Sequence, residues 1–414
     1  MIRIRKKYLF YLLGISSAII GAGVTTIDTY ISNMVIKNPW VLCLSVFLAG
    51  LVITFIIITI LSIPIKGKPI GSKIDPSFNG IRMIKKKEIK YQIVAGIGNT
   101  ITTLAYFYII WLYKNPFTPA TVLSFSQIVI IYLLLVESIT EKNAPTLAET
   151  QSAIIVSFGA VLASLSLKGE INLLGLLFVF LILNPAWAIF SIYQRKLKLM
   201  KINDCYNDSL NIRFWNLVFT TAFTLISIEI IDLILNKDYL LQSINALHYW
   251  YWLFFSMGTT FFAYVLYIRA LGLGKASVTQ AITASKIVFS IPFSFILASI
   301  IGGIIFESTL HALIKMMGII LVILGVISFA LTEVKGYIFI NVKSGFEVSE
   351  LLNKIWKIKG ITSVSSIAGS YDIIAKARIR TLGKGYERII RLLEEMNGIA
   401  NFKWQSILKE WEEI

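Results

Sequence analysis

The sequence is poor in the residues that bind metals, form disulfides or keep a protein soluble. Its 414 residues include two cysteines, Cys43 and Cys205, and two histidines. Two cysteines cannot make a disulfide framework, and so few sulfur and imidazole groups offer no metal-ligand spacing. Charged residues make up 15% of the chain, whereas soluble domains have about a quarter. These absences argue against zinc chemistry, redox chemistry and an ordinary soluble protein.

Motifs of the common enzyme classes are also missing from the sequence. It has no G-x-x-x-x-G-K-[ST], H-E-x-x-H or G-x-S-x-G motif, and no G-x-G-x-x-G after a predicted strand. The segment GLGKAS at Gly272 lacks the earlier glycine that a phosphate-binding loop needs. We therefore predict that the protein is not an enzyme, that it has no catalytic residues, and that it uses no metal or cofactor.

Apolar residues are abundant instead, at 56% of the chain. A helix needs about 20 mostly apolar residues to cross the roughly 30 Å hydrocarbon core of a bilayer. Ten stretches are candidates, although the seventh is short and the ninth and tenth each contain a lysine. We predict ten transmembrane helices, at residues 8–27, 38–65, 91–113, 115–136, 150–167, 171–194, 214–228, 239–268, 276–306 and 308–332.

The basic residues between these spans indicate their orientation. If the N-terminus is cytoplasmic, the segments on that side carry at least nineteen Lys and Arg residues. The opposite loops carry only Lys37, Lys114, Lys168 and Lys237. Cytoplasmic loops of membrane proteins are enriched in Lys and Arg. The bias predicts a multi-pass inner or plasma membrane protein with both termini in the cytoplasm, and it explains most of the net charge of +16 without a nucleic-acid partner.

The third to fifth spans are echoed in the eighth to tenth at a constant offset of 159 residues. The matching positions are Tyr108 and Tyr267, Leu112 and Leu271, SQIV at 126–129 and SKIV at 285–288, and Gly159 and Gly318. Because five spans per half is an odd number, the halves, about 1–168 and 169–333, would enter the membrane in opposite directions. Such inverted repeats are typical of alternating-access transporters, in which the site lies near the midplane.

The two five-helix halves, with AYFYII in the third span and AYVLYIRALGLGKASVTQA in the eighth and ninth, resemble the drug/metabolite transporter superfamily of EamA type. The resemblance covers about residues 8–332. It implies a ten-helix secondary transporter, in a superfamily with many exporters of amino acids and related metabolites.

After residue 333 the composition becomes that of a soluble domain. Residues 335–414 contain 13 Lys and Arg and 9 Asp and Glu. Apolar residues recur there at helical spacing in two segments and alternate in another, at 373–380. The order strand-helix-strand-strand-helix-strand predicts a ferredoxin-like α+β domain at 334–414, with both helices on one face of an antiparallel sheet.

Three segments of this region, YIFINVKSGFE, VSSIAGSYDIIAKARI and LLEEMNGIANFKW, are similar to the effector-binding domain of the Lrp/AsnC regulators. The similarity implies that the domain forms homodimers and binds small effectors, typically amino acids, near Gly369, Tyr371 and Asp372. The helix-turn-helix of those regulators has no counterpart in the chain, so no direct nucleic-acid partner is predicted.

Lys286 is the sharpest candidate for substrate binding. It lies ten residues beyond Ala276, about 15 Å into the ninth span at 1.5 Å per residue. A charge near the bilayer centre is costly, so it normally faces a cavity or a partner and marks a pathway. A substrate carboxylate is one such partner, and a structural ion pair or a side chain that extends to the interface are the alternatives. For Lys315, in the tenth span, the interface is easier to reach.

Polar and aromatic residues in the spans are further candidates, although such residues also hold membrane helices together at about 1 kcal/mol or less each. The candidates are Asn99, Tyr106, Ser126, Gln127, Trp187 and Tyr264. The sequence thus predicts a secondary transporter, an exporter of a small metabolite such as an amino acid, that is regulated by a cytoplasmic amino-acid-sensing domain. The alternative is a membrane-anchored amino-acid sensor or scaffold without transport activity.

Overall fold

The computed structural model describes residues 6–112, 122–141, 145, 147–166, 172–202, 205–301, 308–331, 334–358, 360–379 and 385–406. Seven helices in this part of the chain are long and apolar enough to cross a membrane. They are Tyr8–Asp28, Pro39–Leu61, Val122–Thr140, Leu173–Leu199, Ser209–Leu235, Tyr239–Leu271 and Thr309–Phe329. Large apolar side chains such as Leu181 and Leu233 are 69% and 77% exposed on them. The architecture is that of a polytopic helical membrane protein.

The described part of the apolar region consists mainly of helices, with two small hairpins between them. The helices are α1 (Lys6–Tyr30), α2 (Pro39–Leu61), α3 (Lys86–Leu112), α4 (Val129–Glu141), α5 (Leu147–Ser164), α6 (Leu173–Phe178), α7 (Asn184–Leu199), α8 (Ser209–Leu235), α9 (Tyr239–Asn245), α10 (Trp250–Leu271), α11 (Ala276–Ala284), α12 (Lys286–Ile301) and α13 (Thr309–Leu331). The hairpins are β1 (Pro64–Ile65) with β2 (Lys68–Pro69), and β3 (Lys201–Ile202) with β4 (Cys205–Tyr206).

Every predicted span contains helix, but three of them are not among the seven apolar helices. These are the third, in α3; the fifth, in α5; and the ninth, which is divided between α11 and α12. The number of ten crossings therefore stays a prediction. Residues 115–121 of the fourth predicted span and 302–306 of the ninth lie outside the described residues.

The seventh predicted span is longer than the apolar pattern indicated. Helix α8 has 27 residues and extends beyond residues 214–228 at both ends. It begins where the Asp208 side chain accepts a hydrogen bond from Asn211 N at 2.7 Å. It ends at Asn236, which adopts a left-handed conformation with φ +50°. Both are common signals for helix termini.

Two segments related by the offset of 159 residues interrupt their helices at matching positions. Residues Phe125–Ile128 form a short 3₁₀-helix immediately before α4. At the matching place, α11 ends at Ala284 and α12 begins at Lys286. A 3₁₀ turn or a break replaces regular i to i+4 bonding, so it frees backbone groups in the middle of a helix.

Two repeat-related glycines, Gly159 in α5 and Gly318 in α13, contact each other. A Cβ atom added to Gly318 would lie 2.4 Å from the Ala163 nitrogen and 2.6 Å from the Gly159 carbonyl oxygen. A Cβ added to Gly159 would lie 2.8 Å from the Gly318 carbonyl oxygen. The absence of side chains lets the two backbones approach closely, as small residues do in packed membrane helices.

The C-terminal region forms one antiparallel sheet with two helices. Its elements are β5 (Val334–Val342), α14 (Val348–Trp356), β6 (Ile361–Ser366), β7 (Ile373–Ile379), α15 (Gly385–Glu394) and β8 (Ile399–Ser406). The sheet order is β6-β7-β5-β8, and all neighbours are antiparallel. Alternate strand residues such as Ile338, Ile340 and Ala375 share a buried core with Leu351 and Leu393 of the helices. Residues 407–414 of the predicted domain lie outside the described residues.

The chain divides into two compact units. One comprises residues 1–143 and 153–324, and the other comprises 144–152 and 325–414. The second unit includes the whole C-terminal sheet, together with the first residues of α5 and the last residues of α13.

Candidate functional site

A cavity of about 90 Å³ lies among helices α1, α7, α10, α11 and α12. A space of this size accommodates a few water molecules or the polar end of a small solute. The wall combines hydroxyl, amide, indole and ammonium groups with small apolar side chains. It is lined by Ser17, Ala18, Gly21, Trp187, Ala263, Tyr264, Tyr267, Gln280, Thr283 and Lys286.

Hydrogen bonds between helices hold the polar wall of this cavity in place. The Tyr267 hydroxyl in α10 is 2.9 Å from Ser191 Oγ in α7 and 3.2 Å from Gln280 Oε1 in α11. Ser17 Oγ in α1 donates to the Ala263 carbonyl oxygen at 2.8 Å. Because these bonds join four helices, the cavity has a defined shape rather than being a gap between loosely packed elements.

Aromatic rings form a second part of the wall. Tyr264 is central to them, since its ring centroid lies 6.4 Å from Trp187, 5.9 Å from Phe190 and 6.4 Å from Tyr267. All three pairs are edge-to-face, an arrangement that stabilises aromatic clusters. Tyr264 and Tyr267 lie on one side of α10 because they are three residues apart.

Lys286 contributes a positive charge to the cavity. It is the first residue of α12, immediately after the break at Ser285, so its side chain enters the cavity where the helix is interrupted. No carboxylate of the described residues lies within ion-pair distance of its ammonium group. A positive charge in an apolar bundle is stabilised when a ligand or water supplies the missing partner.

Arg213 is a second cation beside the same aromatic cluster. Its guanidinium carbon lies 4.2 Å from the centroid of the Tyr264 ring, within cation–π distance. Arg213 is 2% exposed, and its Nε and Nη1 atoms have no hydrogen-bond acceptor among the described residues. Buried guanidinium donors are normally satisfied by carboxylates or carbonyl groups.

Other polar atoms on the helices around the cavity also lack partners. Trp187 Nε1 and both amide atoms of Gln194, in α7, are buried without a hydrogen bond in the described part of the chain. Trp187, Ser191 and Gln194 follow one face of α7, because they are separated by four and three residues. Asn216 Nδ2 in α8, one turn from Arg213, is unpaired as well. Water or a polar ligand would satisfy these groups.

A single carboxylate, Asp28, lies at the other end of α1 from the charged N-terminal segment. Ser256 Oγ donates a hydrogen bond to Asp28 Oδ1 at 2.5 Å, which links α1 to α10. The Asp28 charge acts electrostatically on the hydroxyl groups of Tyr106 and Tyr264. Tyr264 thus interacts with the Asp28 carboxylate and the Arg213 guanidinium group, and it lines the cavity together with Lys286.

A network around Glu137, at the end of α4, holds the N-terminus of α11, the helix that carries the cavity residue Gln280. Glu137 Oε2 accepts hydrogen bonds from Ser277 N at 3.1 Å and Ser277 Oγ at 2.5 Å, and Oε1 accepts from Ala276 N. Arg195 Nη1 in α7 lies 3.4 Å from Glu137 Oε1, and Arg195 Nε donates to the Gly274 carbonyl oxygen. The carboxylate therefore caps the N-terminus of α11, one turn before the cavity residue Gln280.

A second network fixes the loop between α2 and α3 at the same end of α7. Asp75 Oδ2 accepts from Lys198 Nζ at 2.6 Å, from Ser209 Oγ at 2.6 Å and from Ser209 N at 2.8 Å. Burial opposes ionisation of the Asp75 carboxyl, but the Lys198 ammonium and the Ser209 donors hold its pKa below the usual range. The ionised form is thus the one that the fold stabilises.

Arg82 and Glu88 form the third ion pair in this region. Two parallel bonds, Nη1 to Oε2 at 2.7 Å and Nη2 to Oε1 at 2.8 Å, join them, and Asn207 bonds to both side chains. Although burial has the opposite effect, this pairing raises the pKa of Arg82 and lowers that of Glu88. Burial raises the pKa of the neighbouring Asp208 carboxyl.

The structure brings Lys286, Trp187 and Tyr264 of the predicted binding residues together in one cavity wall. Asn99 is instead buried between α3 and α8, where its amide nitrogen lies 3.1 Å from Thr220 Oγ1. Tyr106 is 42% exposed. Ser126 and Gln127 lie in the 3₁₀ segment before α4 and are not part of the cavity lining.

The predicted effector residues lie in the turn between β6 and β7. Asp372 Oδ2 accepts a hydrogen bond from Val342 N at 2.7 Å, so this side chain ties the turn to the end of β5. The Tyr371 ring lies 5.2 Å from Phe339 of the same strand. Gly369 has φ +149°, a conformation that favours glycine. A group of three or more metal-binding side chains was sought and not found in the described residues.

Sequence reasoning missed several residues of the site. Arg213 lies one residue before the predicted start of the seventh span, so it looked like one of many interface charges. Glu137 directly follows the predicted fourth span, 115–136, and Tyr267 is distinguished in the sequence only by its match to Tyr108. A signal was present for Gln280, because it is a polar residue one and a half turns before Lys286 in the same span.

Comparisons with known proteins show a similarity of fold but do not assign the chain to a family. No protein-family model matches the chain, and no curated protein matches it. Twenty-nine chains of solved structures match. One of them, described as "Crystal structure of protein", has a TM-score of 0.51 and 12% identity, over 78% of this chain and 98% of that chain.

Proposed function

We propose that the protein is a secondary transporter that moves a small carboxylate-bearing metabolite, such as an amino acid, by alternating access. The observation that carries the proposal is Lys286: a lysine with no carboxylate partner among the described residues lines a polar and aromatic cavity at a break in an apolar helix. Transporters commonly bind substrate at such interrupted helices, near the centre of the bilayer.

The inverted repeat supports alternating access. The two helix interruptions, at 125–128 and 284–286, are related by the sequence offset of 159 residues. Gly159 and Gly318, related by the same offset, contact each other as residues close to a pseudo-two-fold axis do. A ten-helix bundle of two oppositely oriented five-helix halves accounts for both observations.

The network at Glu137 gives the proposed transport cycle a closed end. Glu137 of the first half binds the N-terminus of α11 and Arg195, which belong to the second half. In the predicted topology this end faces the cytoplasm. Release of these bonds would open the cavity to the cytoplasm, and their formation would close it. Energy would come from an ion or substrate gradient, since the sequence has no phosphate-binding loop.

For the C-terminal region we propose a ferredoxin-like regulatory domain. Its order of elements and its sheet order, β6-β7-β5-β8, support that fold. In this proposal an amino acid binds near Gly369, Tyr371 and Asp372 of a domain dimer and biases the transport domain between its two states.

Transport by the full-length protein in lipid vesicles tests the proposal. Vesicles are loaded with a mixture of labelled amino acids, and efflux is compared between the wild type and Lys286→Gln. Lys315→Gln is the matched control, because this lysine also lies in an apolar helix, α13, but does not line the cavity. We expect K286Q to lower efflux by about tenfold or more, since a charge-assisted contact is lost, while K315Q retains it. If the wild type moves no solute, or K286Q matches it, a membrane-anchored sensor or scaffold is the better account.

A further inference from the structure

Arg213 has a role that an interface or topology charge does not explain. It is 2% exposed, although arginine at a membrane boundary normally keeps its guanidinium group in water. Its guanidinium carbon stacks 4.2 Å from the Tyr264 ring centroid, and no carboxylate of the described residues forms an ion pair with it. Two of its nitrogen atoms, Nε and Nη1, have no acceptor in the part of the chain that the structure describes. A side chain that held helices together would use these donors.

Tyr264 connects Arg213 to the cavity. The same ring lines the cavity together with Lys286, so the two cations are associated with one aromatic side chain. Among the described residues, the donors Trp187 Nε1 and Asn216 Nδ2 are unpaired on the neighbouring helices, as are the acceptors Gln194 Oε1 and Gln92 Oε1. Even with the Asp28 carboxylate counted, the two cations leave the described residues around Tyr264 with a net positive charge, which is complementary to an anion.

We propose that Arg213 is a second anion-binding group of the transport site, and that the solute therefore carries two acidic groups. Lys286 binds one carboxylate and Arg213 binds the other, next to Tyr264. The inference rests on the proposed transport function and makes it more specific: the substrate class is that of acidic amino acids and related dicarboxylates. A neutral amino acid has one carboxylate and would leave either Lys286 or the buried Arg213 without an anionic partner, which is costly in a medium of low dielectric constant.

Two probes of nearly identical shape test this specificity. L-glutamate and L-glutamine differ in one charge at the side-chain end, so their relative affinity isolates the second anion contact. Binding to the purified full-length protein is measured by the ligand-dependent shift in thermal unfolding. We expect the wild type to bind L-glutamate at least about tenfold tighter than L-glutamine, because only glutamate pairs with both cations.

Variants assign the preference to Arg213. Arg213→Gln should lower the affinity for L-glutamate to that for L-glutamine and leave the latter unchanged. Arg213→Lys should retain part of the preference, because it keeps the charge but loses the planar guanidinium group. Lys315→Gln should retain it fully. Size-exclusion profiles and unfolding temperatures without ligand show whether each variant is folded.

Three results would overturn the inference: a wild type without preference for glutamate, a wild type that binds neither glutamate nor succinate, or an R213Q variant that loses affinity for both amino acids by the same factor. The last result would show that Arg213 has a structural role.

The vesicle experiment separates a failure of this inference from a failure of the proposed transport function. Efflux of L-glutamine that depends on Lys286 but not on Arg213 would retain the transporter and reject the second anion site. Glutamate binding that depends on Arg213, without any transport, would support the second anion site and reject the proposed transport function.

Discussion

Around Glu137 and Asp75 the buried charges have partners, whereas beside the cavity Lys286 and Arg213 have no carboxylate partner among the described residues. Glu137 lies near Arg195, and Asp75 binds Lys198. Removing one member of a buried pair leaves the other charge without compensation, so such pairs are costly to break. An unpaired charge is costly to keep. Its retention in the folded protein is explained if a ligand compensates for it during function.

The largest effect on stability is expected at the Glu137 network. Replacing Glu137 with Gln leaves Arg195, which is 8% exposed, beside an uncharged amide and weakens the cap of α11. Loss of one partner of a buried pair costs about 3 to 5 kcal/mol. We expect a clear fall in the unfolding temperature of the detergent-purified protein. Glu229→Gln, at an exposed position in α8, is the control, and equal unfolding temperatures for the two variants would contradict the assigned role of Glu137.

A smaller loss is expected for Asp75→Asn, with a characteristic dependence on pH. This substitution leaves the Lys198 ammonium group with uncharged acceptors among the described residues, such as the Asn207 carbonyl oxygen, which should cost about 2 kcal/mol near neutral pH. Because the folded protein holds the pKa of Asp75 below its usual range, the wild type has this stabilisation above about pH 3.9, the ordinary value for the unfolded chain. It loses the stabilisation as the pH falls through the lower folded pKa. Unfolding curves of the two proteins should therefore converge in acid, and a constant difference down to low pH would contradict the ionic role.

Gly318, at its contact with Gly159, is expected to tolerate substitution less than an ordinary helical glycine. In Gly318→Ala the new Cβ would meet backbone atoms of α5 at 2.4 and 2.6 Å, which cannot move without shifting the helix. Overpacking of this kind costs about 1 to 2 kcal/mol. Gly258→Ala is the control, because its Cβ would have ordinary contacts of 3.7 and 3.8 Å with two isoleucines. Thermal unfolding should separate the variants, with G258A neutral or slightly stabilised by its helix propensity.

Hydropathy was sufficient to predict the helical class and the approximate position of most helices, since membrane crossing requires long apolar runs. It placed the end of α8 poorly because helix termini are set by capping at Asp208 and Asn236 rather than by hydropathy. Lys286 in the predicted ninth span could be identified from the sequence, because a charged residue in an apolar run is unusual whichever way the helix is rotated.

Partners and orientation needed the structure. Arg213 and Glu137 lie at span boundaries, where most charges face water, and only the packing of α8, α10 and α11 shows that these two are buried. Asn99 looked equivalent to Tyr264 in the sequence. In the fold Asn99 bonds to Thr220 between two helices, whereas Tyr264 lines the cavity, because the rotation of each helix about its axis decides which polar face is turned inward.

The smallest effect on stability is expected at Lys286, and it separates the two kinds of charge most directly. Lys286→Gln removes an ammonium group that has no carboxylate partner among the described residues, so the change in unfolding free energy should be within about 0.5 kcal/mol or stabilising. Lys198→Gln removes a buried lysine that binds Asp75, and we expect it to lose about 2 kcal/mol because the carboxylate is left without its cation. Chemical or thermal unfolding of both variants in one detergent measures the difference. If K286Q is destabilised as much as K198Q, Lys286 is held by an interaction within the fold, and its charge is no longer available to explain substrate binding.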